Sequence, residues 1–187
     1  QQVQDNGSYN MFGCRADLKR NSILFEGEFA MQSSHYIKAN LLSLNLGYKT
    51  DQFDWIKSLT AGLDIVSGDD SKTDELEGFS KYFGARHKHH GYYDYSSHKR
   101  YFGHAHEGLQ ELNLKGKFNF LASSNLLVAM HSFSSHDGIT KYGNELDLII
   151  KRKVSDELSS EFGLVFYDPE EGNDLLTFMY VMFTANF

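Results

Sequence analysis

The chain is poor in cysteine, proline and long apolar runs, and each shortage excludes something. One cysteine, Cys14, in 187 residues permits no internal disulfide framework. It reads as a small apolar strand residue. One proline suits a strand-rich chain, because proline cannot donate to a β ladder. No stretch reaches the run of about 18 apolar residues that a transmembrane helix needs. A mean hydropathy of −0.45 nevertheless leaves a membrane open. Barrel strands alternate lipid-facing and lumen-facing residues and average to values typical of soluble proteins. Net charge is −7 with no basic stripe, which gives nucleic acid no footprint. The opening "QQVQDNGSYN" has no signal-peptide character, so an exported chain would be already processed or part of a longer one.

What is abundant is aromatic residues, at 14%, and a two-residue apolar period. Residues i, i+2 and i+4 of a strand share a face, so the period predicts strands with one apolar and one polar side. Nine segments show it: "YNMFGCRADLKR", "SILFEGEFAM", "NLLSLNLGY", "FDWIKSLTAGLDIV", "ELNLKGKFNF", "LLVAMHSF", "NELDLIIKRKV", "LSSEFGLVFY" and the terminal "DLLTFMYVMFTANF". Of these, "LLVAMHSF" is ambiguous, since both its faces are largely apolar. The connections alternate in kind. "RNS", "TDQ", "ASSN" and "SDE" are tight turns, whereas "QSSHY", the span from about 67 to 106, "SHDGITKYG" and "DPEEGND" are longer and polar.

Short turns on one rim and long loops on the other are the layout of an outer-membrane barrel. Several segments carry about 10 residues of alternation, enough to cross a bilayer when tilted. Tyr48, Phe53, Trp55, Phe120, Phe166 and Phe187 collect at strand ends, where interfacial aromatics belong. The expected fold is therefore all-β: an antiparallel transmembrane β-barrel region over 1–187, with a long extracellular-side loop at about 67–106 and a periplasmic C-terminus. Its polar face would line the lumen with Arg15, Asp17, Lys19, Glu26, Glu28, Asp64, Glu111, Lys115, Lys117, Glu145, Asp147, Lys151, Lys153 and Glu161. Such charges select solutes, or brace the wall as cross-strand pairs. A soluble β-barrel or sandwich is the rival reading.

The loop "SGDDSKTDELEGFSKYFGARHKHHGYYDY" resembles the alginate-export family of outer-membrane porins. The resemblance rests on Ser67, Gly68, Asp69 and Asp70, then Tyr82, Phe83, Gly84, His87, Gly91, Asp94 and Tyr95, with His131 and the terminal Phe187 downstream. It implies a segment from the C-terminal half of a barrel of roughly 16–18 strands. An upstream segment or second chain would close it, pairing with the far edge of the terminal strand. It also implies a strongly basic lumen, from which the mixed charges here depart.

Three further constellations offer chemistry. His87, His89 and His90, with His98, His104 and His106, could ligate a metal, but no carboxylate framework is visible beside them, so loop packing is the expectation and no cofactor is assigned. "SGDDSKTDE" could attract calcium but lacks the order of an EF-hand loop. "SFSSHD" gathers Ser134, Ser135, His136 and Asp137 with no nucleophile elbow, so no enzyme is expected. The expected function is a porin-like channel in the bacterial outer membrane for a polar or charged solute, an oligosaccharide or small organic ion. The alternative is a non-conducting barrel scaffold.

Overall fold

The computed structural model describes residues 9–80, 90–93, 106–170 and 174–186. The strands are β1 (Asn10–Arg20), β2 (Ile23–Ser33), β3 (Lys38–Lys49), β4 (Ile56–Val66), β5 (Leu109–Asn119), β6 (Ser124–Ser134), β7 (Lys141–Lys153), β8 (Leu158–Pro169) and β9 (Leu176–Ala185). They form one antiparallel sheet in chain order, so every strand pairs with its sequence neighbours. No helix occurs among the described residues. β1 and β9 are the two edges, and no described strand pairs with the outer side of either. This is the form of a β-barrel segment. At 10–13 residues the strands match the length a tilted membrane-spanning strand requires.

Where the chain reverses tightly, the residues suit the geometry. Asn21, between β1 and β2, has φ of 53°, a left-handed conformation that Asn tolerates better than most residues. The turn "TDQ" is longer than its sequence suggests: Phe53, Asp54 and Trp55 precede β4 rather than opening it. Trp55 stacks on Phe118 at 6.0 Å, while its carbonyl still accepts the Asn119 N–H at 3.0 Å. Conversely "QSSHY" shrinks to the four residues 34–37, because β2 continues through Ser33. Ser34 Oγ there accepts the Ile37 N–H at 3.1 Å and closes the turn.

The register divides the sheet cleanly. One face carries Phe12, Leu18, Leu44, Leu46, Leu59, Leu112, Leu114, Met130, Phe162, Met179, Val181 and Phe183, all exposed. The other carries most of the charges, and its fully enclosed polar members are Glu111, Asp147 and Gln32, each 0% exposed. A water-soluble barrel has the opposite polarity, apolar within and wet outside. An apolar band facing outward and a polar wall facing inward is the arrangement of a barrel in lipid. The ambiguity of "LLVAMHSF" is resolved by pairing: His131 stands opposite Asn113 and Glu145, on the inner face. The buried apolar cluster, including Val66, Phe79, Leu109, Phe133 and Tyr167, lies on that same face near the long-loop rim.

Candidate functional site: the charged inner wall and its inward loop

Cross-strand pairing arranges the inner charges in rows. Lys19, Thr60, Lys115, Ala129, Asp147 and Val165 share one row. Lys117, Lys151 and Lys153 lie on the tight-turn side of it; Asp17, Glu26, Glu28, Asp64, Glu111 and Glu145 lie on the long-loop side. The wall is thus basic toward the turns and acidic toward the loops. Two residues break the division. Arg15 sits among the acids, pairing with Asp17 at 3.1 Å, Glu28 at 3.2 Å and Glu26. Glu161 sits among the bases, 2.6 Å from Lys151, and also accepts the Tyr180 hydroxyl at 2.5 Å. These groups brace the wall, whereas Lys19, Lys115 and Lys117 have no ion-pair partner among the described residues.

The connection between β4 and β5 turns inward over the acidic half. Its base is pinched shut: Asp69 N–H donates to the His106 carbonyl at 2.7 Å. The two arms cross at glycines, where a Cβ on Gly68 would lie 2.3 Å from the Glu107 carbonyl and one on Gly108 would lie 2.4 Å from the Val66 oxygen. Farther along, Gln32 clamps Ser80 in both directions, donating to its carbonyl at 2.6 Å and accepting its N–H at 3.0 Å. Tyr92 and Tyr93 N–H groups both donate to Glu145 Oε1, at 2.6 and 2.9 Å. The Tyr93 ring stacks on Tyr167 at 5.5 Å. Because these partners sit on β2, β7 and β8, the loop ties separated strands together.

Beneath it lies a buried polar cluster. His90 Nδ1 is 2.7 Å from Glu111 Oε2 and 3.5 Å from Asp64 Oδ2. Glu111 Oε1 takes the opposite side, 2.7 Å from His131 Nδ1 and 3.1 Å from the Asn113 amide nitrogen, which donates to it. His131 Nε2 then approaches Asp147 Oδ2 at 3.2 Å, off the hydrogen-bond axis. Asp64 Oδ1 and both Asp147 oxygens are buried without a hydrogen-bond partner. Unmatched acceptors at this depth are costly.

The alginate export family model matches residues 1–185. The chain belongs to the alginate export family. That is a family of outer-membrane transport porins, and the inside-out sheet agrees with it. No curated protein and no solved structure matches the chain.

In this alginate-export chain the motif residues divide by role. Asp69 Oδ1 accepts the Glu77 N–H at 2.9 Å, and Asp70 Oδ1 accepts the Lys72 N–H at 3.0 Å. Both acids therefore cap their own turn. Gly91 has φ of 81°, and a Cβ there would meet the Glu145 carboxylate at 2.4 Å. Only glycine permits that approach. Tyr82, Phe83, Gly84, His87, His89, Asp94, Tyr95, His98, His104 and Phe187 lie outside the described residues. The Ser135 hydroxyl donates to Asp137 at 2.5 Å, and His136 Nδ1 faces the Glu107 carbonyl, so no Ser–His relay forms. The expected lack of a carboxylate framework beside the loop histidines is corrected for His90: β4 and β5 supply Asp64 and Glu111. Strand parity places these acids on the inner face, but their convergence with His131 and Asn113 depends on the loop path. The available signal was a lone His in phase with the polar face of the ambiguous strand.

Proposed function

We propose that this chain forms part of the wall of a passive outer-membrane channel for a polar or charged solute, with the inward loop as its constriction. The observation that carries this reading is a charged inner wall over which the chain folds its own β4–β5 connection. Paired charges would brace a scaffold, whereas charges without an ion-pair partner facing the lumen suit a selective pore. Further strands, from an upstream segment or a second chain, pair with the free edges of β1 and β9, since an open edge invites uncontrolled pairing. The tight turns face the periplasm with the C-terminus, and the long loops face outward. Lys117, and Lys19 and Lys115 in the middle row with Asp147, lack ion-pair partners among the described residues and set anion attraction on the turn side, and Asp64, Glu111 and Glu145 oppose it near the loops. The role is conduction rather than catalysis. A mixed lumen favours a solute with both charged and neutral polar groups over a pure polyanion.

The test is conductance of the closed barrel in a planar lipid bilayer. Stepwise conductance with a reversal potential that shifts when Lys115 and Lys117 are changed to Glu is expected. A barrel that inserts yet conducts nothing, with the loop docked or released, would leave the scaffold role instead.

A further inference from the structure

We propose that Asp64, His90 and Glu111 form a site for a first-row divalent cation of the zinc class, which fastens the inward loop to the barrel wall. The donor atoms of the three residues lie within 4.8 Å of one another, and all three side chains are buried. His90 Nδ1 faces two carboxylates at once, at 2.7 and 3.5 Å. A single ring proton serves one of them well and leaves the other poorly matched. Asp64 shows the deficit: its Oδ1 is buried with no hydrogen-bond partner, and the residue is 5% exposed. A divalent ion in place of that proton satisfies both acids together.

The distances suit such an exchange. Zinc binds imidazole nitrogen and carboxylate oxygen at about 2.0–2.2 Å, so tetrahedral donors sit about 3.3 Å apart. The His90–Asp64 separation of 3.5 Å is already close to that, and the 2.7 Å His90–Glu111 contact must widen by roughly 0.6 Å. The surroundings have the form of a supporting shell. Glu111 turns Oε2 toward His90 because its other oxygen is held by His131 and the Asn113 amide. His131 is in turn flanked by Asp147. Outer partners of this kind fix a ligand's orientation, and their loss costs about 10–100-fold in metal affinity. One nitrogen and two carboxylates favour zinc and its neighbours over calcium and magnesium, which prefer all-oxygen sets. The placement gives the ion its role: Asp64 and Glu111 belong to the wall and His90 to the loop.

The site is independent of whether the barrel conducts, and its test is thermodynamic. The full-length protein in detergent, stripped with chelator, is titrated with Zn²⁺ by calorimetry. One equivalent should bind, and bound Co²⁺ should show the intense visible absorption of a four-coordinate site. His90→Ala should weaken Zn²⁺ by at least tenfold, and His131→Gln, which acts as a positioning change, by about 10–100-fold. Asp70→Asn should leave binding unchanged. Unaltered heat-modifiable migration on gels establishes that each variant remains a folded barrel. Zn²⁺ should also slow protease cleavage within the loop in the wild type and not in His90→Ala. Absence of a stoichiometric site in wild type, equal affinity in folded His90→Ala, or Ca²⁺ binding as tightly as Zn²⁺ would each overturn the proposal.

Discussion

Replacing Gly91 with Ala should release the inward loop while leaving the sheet intact. A Cβ there would sit 2.4 Å from Glu145 Oε1, 2.6 Å from its carboxyl carbon and 2.7 Å from Oε2. Close carbon–oxygen contacts run at about 3.3 Å, so the carboxyl must retreat by roughly 0.9 Å. The Tyr92 and Tyr93 N–H bonds to Oε1, now 2.6 and 2.9 Å, would stretch past the limit of a useful hydrogen bond. Each such bond contributes about 1 kcal/mol net. A left-handed conformation adds about 1–2 kcal/mol for a residue with a side chain. The sum of about 3–4 kcal/mol opposes docking, and at about 1.4 kcal/mol per decade it shifts the docked-to-open equilibrium by a few hundredfold. Hydrogen exchange reads this directly, because the two reporting amides are the ones released. Exchange at Tyr92 and Tyr93 should accelerate by about a few hundredfold, with β5, β6 and β7 amides unchanged. Equal protection in the variant would show that Glu145 does not hold the loop.

Three further outcomes follow from the geometry. Leu114→Arg, on the apolar outer face, should destabilise the barrel in vesicles by about 2–4 kcal/mol, read by denaturant unfolding. A neutral effect would mean that face does not meet lipid. Changing Lys115 and Lys117 together to Glu should shift the zero-current potential in a salt gradient toward cation preference, and an unmoved potential would remove both from the conduction path. In the β6–β7 turn, the Ser135 hydroxyl and then the Ile139 N–H hold the Asp137 carboxyl below its usual range. A depressed folded value means the contribution is present at neutral pH and is lost as pH falls through that value. Ser135→Ala should raise the Asp137 midpoint in a carboxyl-carbon NMR titration, and a midpoint that stays or falls refutes the assignment.

The strands were legible because the polarity pattern of a membrane barrel repeats on nearly all of them, "LLVAMHSF" being the exception. Leu112 and Leu114 against Glu111, Asn113 and Lys115 suffice to place β5 and its faces. Strand ends were less legible. Trp55 has the aromatic character of a strand residue, yet it stacks on Phe118 from the turn. The inner charges could be named one by one, since each follows from parity. Which of them would be buried could not be read, because Glu111 and Asp147 owe their enclosure to a connection more than forty residues long. Gly91 illustrates the gap. Its place in the motif was visible, while the reason for it, a carboxyl from β7 filling the space a Cβ would take, exists only once the loop has folded back.

The separation of bases from acids along the inner wall has an electrical consequence. In a pore lined this way the charge is polarised along the axis, positive at the mouth with the short turns and negative at the other. An ion crossing in one direction meets attraction before repulsion, and in the other direction the reverse. Such a pore conducts as a diode does, with a current–voltage curve that bends differently at positive and negative voltage even in symmetric salt. Raising the salt would straighten the curve as the Debye length falls below the pore radius. Net flux would still follow the electrochemical gradient, and the wall would set only how steeply it rises in each direction.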